Sequence, residues 1–243
     1  MRDPEFDARN EEMVESMTAD HALRQVTGEW LERSFAYEYS YHFEWLGVPI
    51  IQYPQDIVAI QEVIWRTRPA VVIEAGVARG GSVILYASLL KLLGGDRRVI
   101  GVDIDIRSHN RAAIETHPLA DSITLIEGSS VDPKTVAQVA ETVGDLAPVM
   151  VILDSNHTAE HVLQELEAYG PMVSPGCYMV VFDTLIEELS DDLSDNRPWG
   201  RGNNPATAIG QYLERAGDRF EIDHRVSDRL LITAARDGYL RRL

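Results

Sequence analysis

The stretch Val71-Val-Ile-Glu-Ala-Gly-Val-Ala-Arg-Gly-Gly-Ser82 decides the fold of this chain of 243 residues. Residues 70–73 form an apolar run that predicts a buried strand, and the glycines that follow predict a tight turn. The apolar run from Val83 to Leu90 then predicts a helix. A strand, a glycine turn and a helix in this order build a ligand-binding crevice at the carboxyl end of a parallel sheet.

The charge and spacing of the turn indicate which ligand it suits. Its pattern, Glu-x-Gly-x-x-x-Gly-Gly, differs from the Gly-x-Gly-x-x-Gly of dinucleotide sites, and Glu74 would oppose a pyrophosphate. This counts against a nicotinamide-dependent reductase. A carboxylate suits a cation, and S-adenosylmethionine carries a sulfonium and an ammonium group. Gly76, Gly80, Gly81 and Ser82 are therefore candidate cofactor-binding residues together with Glu74, although turns of this kind also occur in purely structural roles.

The composition indicates an acidic globular protein. Hydrophobic residues make up 45% and charged residues 25% of the chain, which is typical of globular domains. The formal net charge of -17 argues against a general nucleic-acid or anionic-membrane surface. Cys177, the one cysteine, is expected to be a buried, inert thiol. Neither a signal peptide nor an apolar run of about 18 residues is visible, so we expect a cytoplasmic protein without a membrane span, and we expect a homo-oligomer.

The first 48 residues are interpreted as an N-terminal arm. They are polar and acidic, helical spacing runs from about Asp20 to Ser34, and the aromatic segment Phe35–Trp45 follows. The arm could be a packing segment, or it could be a lid whose aromatic side chains cover a ligand. We place the main domain at residues 49–243.

Within the main domain, predicted strands and helices alternate. The strands are residues 70–73, 98–103, 122–128, 149–154 and 177–183, and the helices are residues 55–66, 83–90, 133–142, 157–169 and 204–216. Two more strands, 220–223 and 229–233, follow with no helix between them. The pattern predicts an α/β fold with a doubly wound, mainly parallel seven-stranded sheet, Rossmann-like, with an antiparallel edge. This is by analogy the arrangement of class I methyltransferases.

Polar residues at the ends of the second and third strands suit an adenosine ligand. Asp103 ends the second strand and could accept both ribose hydroxyls, because that strand neighbours the glycine turn. Ser129 and Ser130 follow the third strand. They could bind the adenine edge, or they could cap the helix that begins at Asp132-Pro133.

The fourth and fifth strands end in acids that could hold a metal ion. Asp154 and Asp183 adjoin the same crevice, and two carboxylates can bind Mg²⁺ through oxygen. His157, three residues past Asp154, could take a proton from a hydroxyl bound to that ion. Alternatively both acids cap helices and His157 is a surface residue. Their joint occurrence at adjacent strand ends favours the functional interpretation, with the loop of residues 198–205 shaping an acceptor pocket.

Six motifs together resemble the cephalosporin hydroxylase family. They are Pro49–Asp56, Glu74–Ser82, Gly101–Asp105, Glu127–Ser130, Ile152–His157 and Arg197–Pro205. Despite its name, that family consists of class I methyltransferases and includes rhamnosyl O-methyltransferases. The resemblance covers roughly residues 40 to 243.

The resemblance implies S-adenosylmethionine as methyl donor and Mg²⁺ near the acceptor. It assigns the donor-binding glycine motif to residues 74–82, the ribose acid to Asp103, a metal ligand to Asp154 and the general base to His157. The family's fifth-strand motif usually reads Glu-Asp, whereas this chain has Phe182-Asp183. Asp154 and Asp183 are then the protein ligands, and water or substrate oxygens complete a weaker Mg²⁺ site.

We therefore expect an O-methyltransferase of specialised metabolism, such as antibiotic biosynthesis. Its acceptor would be a small hydroxylated molecule: a sugar, a glycoside or a β-lactam-like scaffold. Two alternatives remain open. Phe182 prompts a metal-independent methyltransferase or another reaction on the same scaffold, and a non-catalytic pathway subunit could retain the affinity for S-adenosylmethionine.

Overall fold

The computed structural model describes residues 3–193 and 195–243. The chain begins with two helices, α1 (Pro4–Ala19) and α2 (His21–Phe35). Asp20 separates them, and its carboxylate accepts a hydrogen bond of 3.0 Å from the Leu23 amide, which caps α2. The helical arm is thus confirmed, and α2 coincides with the predicted helix.

A two-stranded antiparallel hairpin follows the arm. Its strands are β1 (Phe43–Trp45) and β2 (Val48–Ile50), which pair with each other. The domain boundary that we placed between residues 48 and 49 falls within β2. Gly47, with φ +83°, lies in the turn between them. The hairpin packs against the main domain through the buried side chains of Val48 and Ile50.

The main domain alternates helices and strands as predicted. In chain order its elements are α3 (Pro54–Thr67), β3 (Val71–Ala75), α4 (Gly81–Leu93), β4 (Arg98–Asp103), α5 (Ser108–Glu115), β5 (Ile123–Glu127), α6 (Pro133–Val143), β6 (Val149–Leu153), α7 (Ala159–Tyr169), β7 (Tyr178–Val181), α8 (Pro205–Ala216), β8 (Phe220–Ile222), α9 (His224–Leu230) and β9 (Tyr239–Arg242).

The strands β3 to β9 form one sheet in the order β5-β4-β3-β6-β7-β9-β8. The first five of these are parallel to one another, and β9 pairs antiparallel with both β7 and β8. The doubly wound, mainly parallel seven-stranded sheet with an antiparallel edge is confirmed. Because the chain moves outward from β3 in one direction and then from β6 in the other, a crevice forms between the ends of these two strands.

The position predicted for the last strand, residues 229–233, is wrong. Residues 224–230 form α9, and the last strand is β9 at residues 239–242. Leu231 has a φ of +55°, which excludes an extended strand there, and the Thr233 hydroxyl donates instead to the buried carboxylate of Asp56. A short apolar run does not by itself distinguish a strand from a helix end.

Apolar cores cover both faces of the sheet. In β3, Val72 packs into the cluster beneath α3 and α4, whereas Val71 and Ile73 pack into the opposite cluster with Leu166 and Tyr169 of α7. Burying each such aliphatic side chain contributes about 1.5–3 kcal/mol. None of the helices in the described part of the chain combines the length and the apolar character that a membrane crossing requires.

Candidate active site

A cavity of about 320 Å³ opens at the carboxyl ends of β3, β6 and β7. Seven of the predicted site residues line it: Gly76, Gly80, Gly81, Ser82, Asp154, His157 and Asp183. The topology therefore brings the glycine turn and the predicted catalytic cluster to one crevice, at the point where the strand order reverses.

The glycine turn packs directly against its neighbours. Gly76 has a φ of +101°, and a Cβ there would overlap the backbone carbonyl of Asp154. A Cβ at Gly81 would come within 2.7 Å of the Ile50 Cα. Glycine at these positions thus allows a close approach that places the turn beside the end of β6 and beside β2.

Glu74 lies behind the cavity wall. Its side chain is fully buried, and the Ser82 hydroxyl donates to its carboxylate at 2.9 Å. Burial raises the pKa of Glu74 to about 8, although the nearby hydroxyls of Ser82 and Tyr86 lower it. A pKa of about 8 means that Glu74 is mostly protonated at neutral pH.

This shift gives a prediction for stability. The ordinary pKa of a glutamate is 4.5, so between pH 4.5 and 8 folded Glu74 holds a proton that the unfolded chain has released. The contribution of Glu74 to stability therefore falls as the pH rises through this interval. Glu74→Gln has the shape of the protonated glutamate but does not titrate. We therefore expect the free energy of unfolding of this variant, relative to that of the parent protein, to rise by about 2–4 kcal/mol from pH 5 to pH 8.5. Urea unfolding of both proteins measures this, and parallel stability curves would contradict it.

Asp154, His157 and Asp183 form a cluster on the cavity rim. Each offers one possible ligand atom, and these atoms lie within 4.8 Å of one another. Asp154 directly follows β6, and Asp183, in a left-handed conformation with φ +57°, lies just beyond β7. The Nδ1 atom of His157 is 3.1 Å from the Oδ2 atom of Asp183. This contact leaves Nε2 as the ring nitrogen that can accept a proton.

Other acidic side chains surround this cluster. Burial, followed by the charges of Asp183, Glu74 and Asp56, raises the pKa of Asp154 well above its ordinary value of 3.8. Asp56, at the start of α3, is itself fully buried, and burial raises its pKa to about 7. A cation placed among these carboxylates would relieve their mutual repulsion.

Aromatic and cationic groups line the cavity next to this cluster. The Trp199 ring packs edge-on against the His157 ring with centroids 5.6 Å apart, and the Arg197 guanidinium lies 5.5 Å from the Trp199 centroid. Phe35 and Tyr41, from the end of the N-terminal arm, also line the cavity. The loop of residues 198–205 and the arm thus both face the space where an acceptor would bind.

The residues predicted to bind adenosine lie outside the cavity lining. The Asp103 carboxylate accepts from the amides of Val77 and Ala78 at 2.9 and 3.0 Å, so it contacts the glycine turn itself. The Ser130 Oγ atom lies 3.0 Å from the Nε2 atom of His161, and the Ser129 carbonyl accepts from the Asp132 amide at 3.0 Å. The roles of Asp103, Ser129 and Ser130 towards a ligand stay predictions.

Sequence reasoning missed two residues of this region, Gln52 and Asp56. Both lie in the Pro49–Asp56 motif, which contributes to the family resemblance but carries no predicted role. Asp56 accepts from the Thr233 hydroxyl and from the Ala234 amide at 2.8 Å, and it thereby fixes a segment that lines the cavity. The available signal was a carboxylate in the first turn of a predicted helix, four residues after a glutamine.

The sheet order and the glycine-turn crevice define the class of protein: it is a class I S-adenosylmethionine-dependent methyltransferase. Residues 37–243 match the profile described as Rhamnosyl O-methyltransferase/CmcI. The chain belongs to this family, which confirms the resemblance found in its sequence motifs.

Known relatives agree with this assignment. The chain is 28% identical over 199 residues to a rhamnosyl O-methyltransferase of Mycobacterium bovis, covering 81% of this chain and 76% of the relative. The Mycobacterium leprae protein of the same name is 28% identical over 198 residues, covering 81% of each chain. Among solved structures, CmcI with Mg and SAM aligns with a TM-score of 0.58 and 22% identity, over 84% of this chain and 77% of CmcI. A Bacillus cereus O-methyltransferase in complex with SAH aligns with a TM-score of 0.53 and 17% identity, over 81% of this chain and 81% of that protein.

Proposed function

We propose that this enzyme transfers the methyl group of S-adenosylmethionine to a hydroxyl of a small specialised metabolite, with His157 as general base and Mg²⁺ near Asp154 and Asp183. The observation that carries the proposal is the single cavity lined by both the glycine turn and the Asp154–His157–Asp183 cluster. The mycobacterial relatives named rhamnosyl O-methyltransferase support a sugar or glycoside acceptor. A β-lactam-like scaffold is the other acceptor class that the family resemblance suggests.

The chain's part in methyl transfer is mainly alignment. The donor methyl is electrophilic in itself, so holding the acceptor oxygen in line with it supplies most of the rate enhancement. In this proposal His157 removes the hydroxyl proton at Nε2, and the contact of Nδ1 with Asp183 supports that choice of nitrogen. Asp183 is a positioning residue in this scheme, since it orients the ring and stabilises the imidazolium that forms.

The donor set fits a hard divalent cation. Asp154 and Asp183 supply carboxylate oxygens, which Mg²⁺ prefers. Burial and, after it, the neighbouring carboxylates raise the pKa of Asp154, and a bound cation would favour its ionised form. When bound there, Mg²⁺ would lower the pKa of an acceptor hydroxyl. Phe182, where a carboxylate is usual in the family, is 2% exposed and packs in the core beside the cavity, so two carboxylates remain as ligands.

The direct test is methyl transfer from S-adenosylmethionine labelled in its methyl group. Methyl α-L-rhamnoside, an aryl rhamnoside and a hydroxylated β-lactam serve as acceptors, and mass spectrometry detects the label on a hydroxyl. A rhamnoside with all its hydroxyls already methylated is the matched control. If the protein binds S-adenosylhomocysteine but methylates none of the hydroxylated acceptors, the non-catalytic subunit becomes the better interpretation.

Asp103 gives a separate prediction for the donor. If it accepts the ribose hydroxyls, Asp103→Ala removes hydrogen bonds to a charged group and weakens S-adenosylhomocysteine binding by roughly 10- to 100-fold. Because Asp103 also accepts from the turn amides of Val77 and Ala78, Asp103→Asn is the milder companion variant. Calorimetry measures both. An affinity equal to that of the parent in both variants would remove Asp103 from the donor site.

A further inference from the structure

Asp56 is a buried carboxylate that the proposed reaction does not use. It lies in the first turn of α3, its side chain is fully buried, and it does not line the cavity. Both of its oxygens accept hydrogen bonds, one from the Thr233 hydroxyl and the other from the Ala234 amide. In the described chain Arg236 forms its ion pair with Glu188, at 3.1 Å, and not with Asp56. Burying a carboxylate without a cation in contact is costly, which indicates a specific role for this side chain.

The Ala234 backbone, which Asp56 holds, contacts the chain just beyond Asp183. The Ala234 carbonyl accepts from the Leu185 amide and from the Thr184 hydroxyl, both at 3.3 Å. These two residues open a short 3₁₀ helix that begins directly after Asp183. A continuous series of hydrogen bonds therefore runs from the buried carboxylate of Asp56 to the residue that follows Asp183.

Asp183 depends on such support because its backbone conformation is unfavourable. Its φ of +57° lies in the left-handed region, and residues in sparsely populated regions persist only where the surrounding structure fixes them. On the N-terminal side the sheet holds the chain, since the Phe182 amide donates to the Leu153 carbonyl at 3.0 Å. On the C-terminal side the hydrogen bonds to Ala234 hold it. The 3.1 Å contact between Asp183 and Nδ1 of His157 therefore depends on both supports.

We propose that Asp56 is a positioning residue: through Thr233 and Ala234 it fixes the loop that follows β7, and so it sets the orientation in which Asp183 meets His157. The inference rests on the proposed function, because that function makes His157 the general base and Asp183 its partner. Asp56 contacts neither donor nor acceptor in this scheme. A carboxylate suits the role because it only accepts, and it binds a hydroxyl and an amide more strongly than a neutral acceptor does.

The first test is nitrogen NMR of the full chain labelled in its histidine rings, without added metal and at a pH at which the ring is neutral. In the parent protein the contact with Asp183 favours the His157 tautomer with the proton on Nδ1. Asp56→Ala removes both acceptors. We expect the ratio of the Nδ1–H to the Nε2–H tautomer to fall roughly 10-fold, as for the loss of a hydrogen bond to a charged group. The spectrum of His157→Ala identifies the signals.

A double-mutant cycle separates positioning from a general loss of structure. In an Asp183→Ala background there is no carboxylate to position, so Asp56→Ala should leave the tautomer ratio of His157 unchanged. With an acceptor that the parent protein methylates, Asp56→Ala alone should lower kcat by about 10- to 100-fold and leave KM for S-adenosylmethionine as it is. In the Asp183→Ala background it should lower kcat less than about 2-fold further.

Asp223→Ala is the matched control. The Asp223 carboxylate also accepts from a buried side-chain hydroxyl, that of Tyr178 at 2.6 Å, but it does not line the cavity. Its variant should lose stability and keep the parent's tautomer ratio and kcat. If Asp56→Ala does not fold, Asp56→Asn decides, because it keeps the shape and one acceptor and should shift the ratio in the same direction. An unchanged ratio, or an equal shift with and without the carboxylate of Asp183, overturns the proposal.

Failure of the inference and failure of the proposed function give different results. A parent protein that transfers no methyl group refutes the proposed function, while the tautomer ratio still decides whether Asp56 positions Asp183. A parent protein that transfers methyl groups while Asp56→Ala keeps the parent's tautomer ratio refutes only the role of Asp56.

Discussion

His157→Ala is expected to lower kcat by about 10²- to 10⁴-fold, the usual cost of removing a general base, with the affinity for S-adenosylhomocysteine unchanged. The physical reason is the ring's placement. The Nδ1 atom lies 3.1 Å from Asp183 and the ring packs edge-on against Trp199, so His157 is held at the cavity rim with Nε2 available. The alanine variant removes the proton acceptor but none of the glycine turn that would hold the donor.

A second substitution separates base chemistry from structure. His157→Asn retains an N–H that can donate to Asp183 but offers no basic nitrogen, so it should be as slow as the alanine variant. His109→Ala, at an exposed histidine of α5 outside the cavity, is the control and should keep the parent rate. Single-turnover rates would show an equal loss in both His157 variants. A near-parental rate in His157→Asn would exclude His157 as the base.

The sequence predicted the centre of the sheet well because its strands are buried on both faces. Val71–Ala75 and Val149–Leu153 are wholly apolar apart from Glu74, and such runs between glycines and helical patterns are hard to mistake. The edge was predicted less well. Tyr239 and Leu240 of β9 are fully buried, but two arginines follow them directly, so the apolar run is too short to indicate a strand. The apolar run Leu230–Thr233 has the composition of a strand but forms the end of α9 and the bend that follows it.

The sequence predicts those residues of the candidate site that lie directly at the ends of strands. Asp154 and Asp183 could be placed together because parallel strands end at one edge of the sheet. The contact between Asp183 and His157 could not, because it depends on the left-handed conformation of Asp183 just beyond β7. Gln52 also escaped prediction, since it reaches the cavity from outside the sheet, where no strand register indicates which side chains meet.

The proposed dependence on Mg²⁺ gives the other prediction with a large expected effect. We expect a strong chelator to abolish activity of the parent protein and Mg²⁺ to restore it along a saturable curve, since Asp154 and Asp183 are both partly buried on the cavity rim. Asp154→Asn removes one of these two carboxylates. It should reduce the maximal rate at least about 100-fold, because a metal that polarises the acceptor contributes several kcal/mol, and it should shift half-saturation to higher Mg²⁺.

Phe182 provides the sharper comparison, because it stands where a third carboxylate is usual in the family. Phe182→Glu should tighten Mg²⁺ binding in calorimetry, although a charge at a position that is 2% exposed will also lower stability when the metal is absent. Phe182→Gln has nearly the same shape as the glutamate variant but no charge, so it isolates the electrostatic contribution and should not tighten binding. If neither a chelator nor Mg²⁺ changes the activity of the parent protein, Asp154→Asn or Phe182→Glu, the carboxylates act structurally. The enzyme would then be a metal-independent methyltransferase in which His157 and the alignment of the acceptor provide the catalysis.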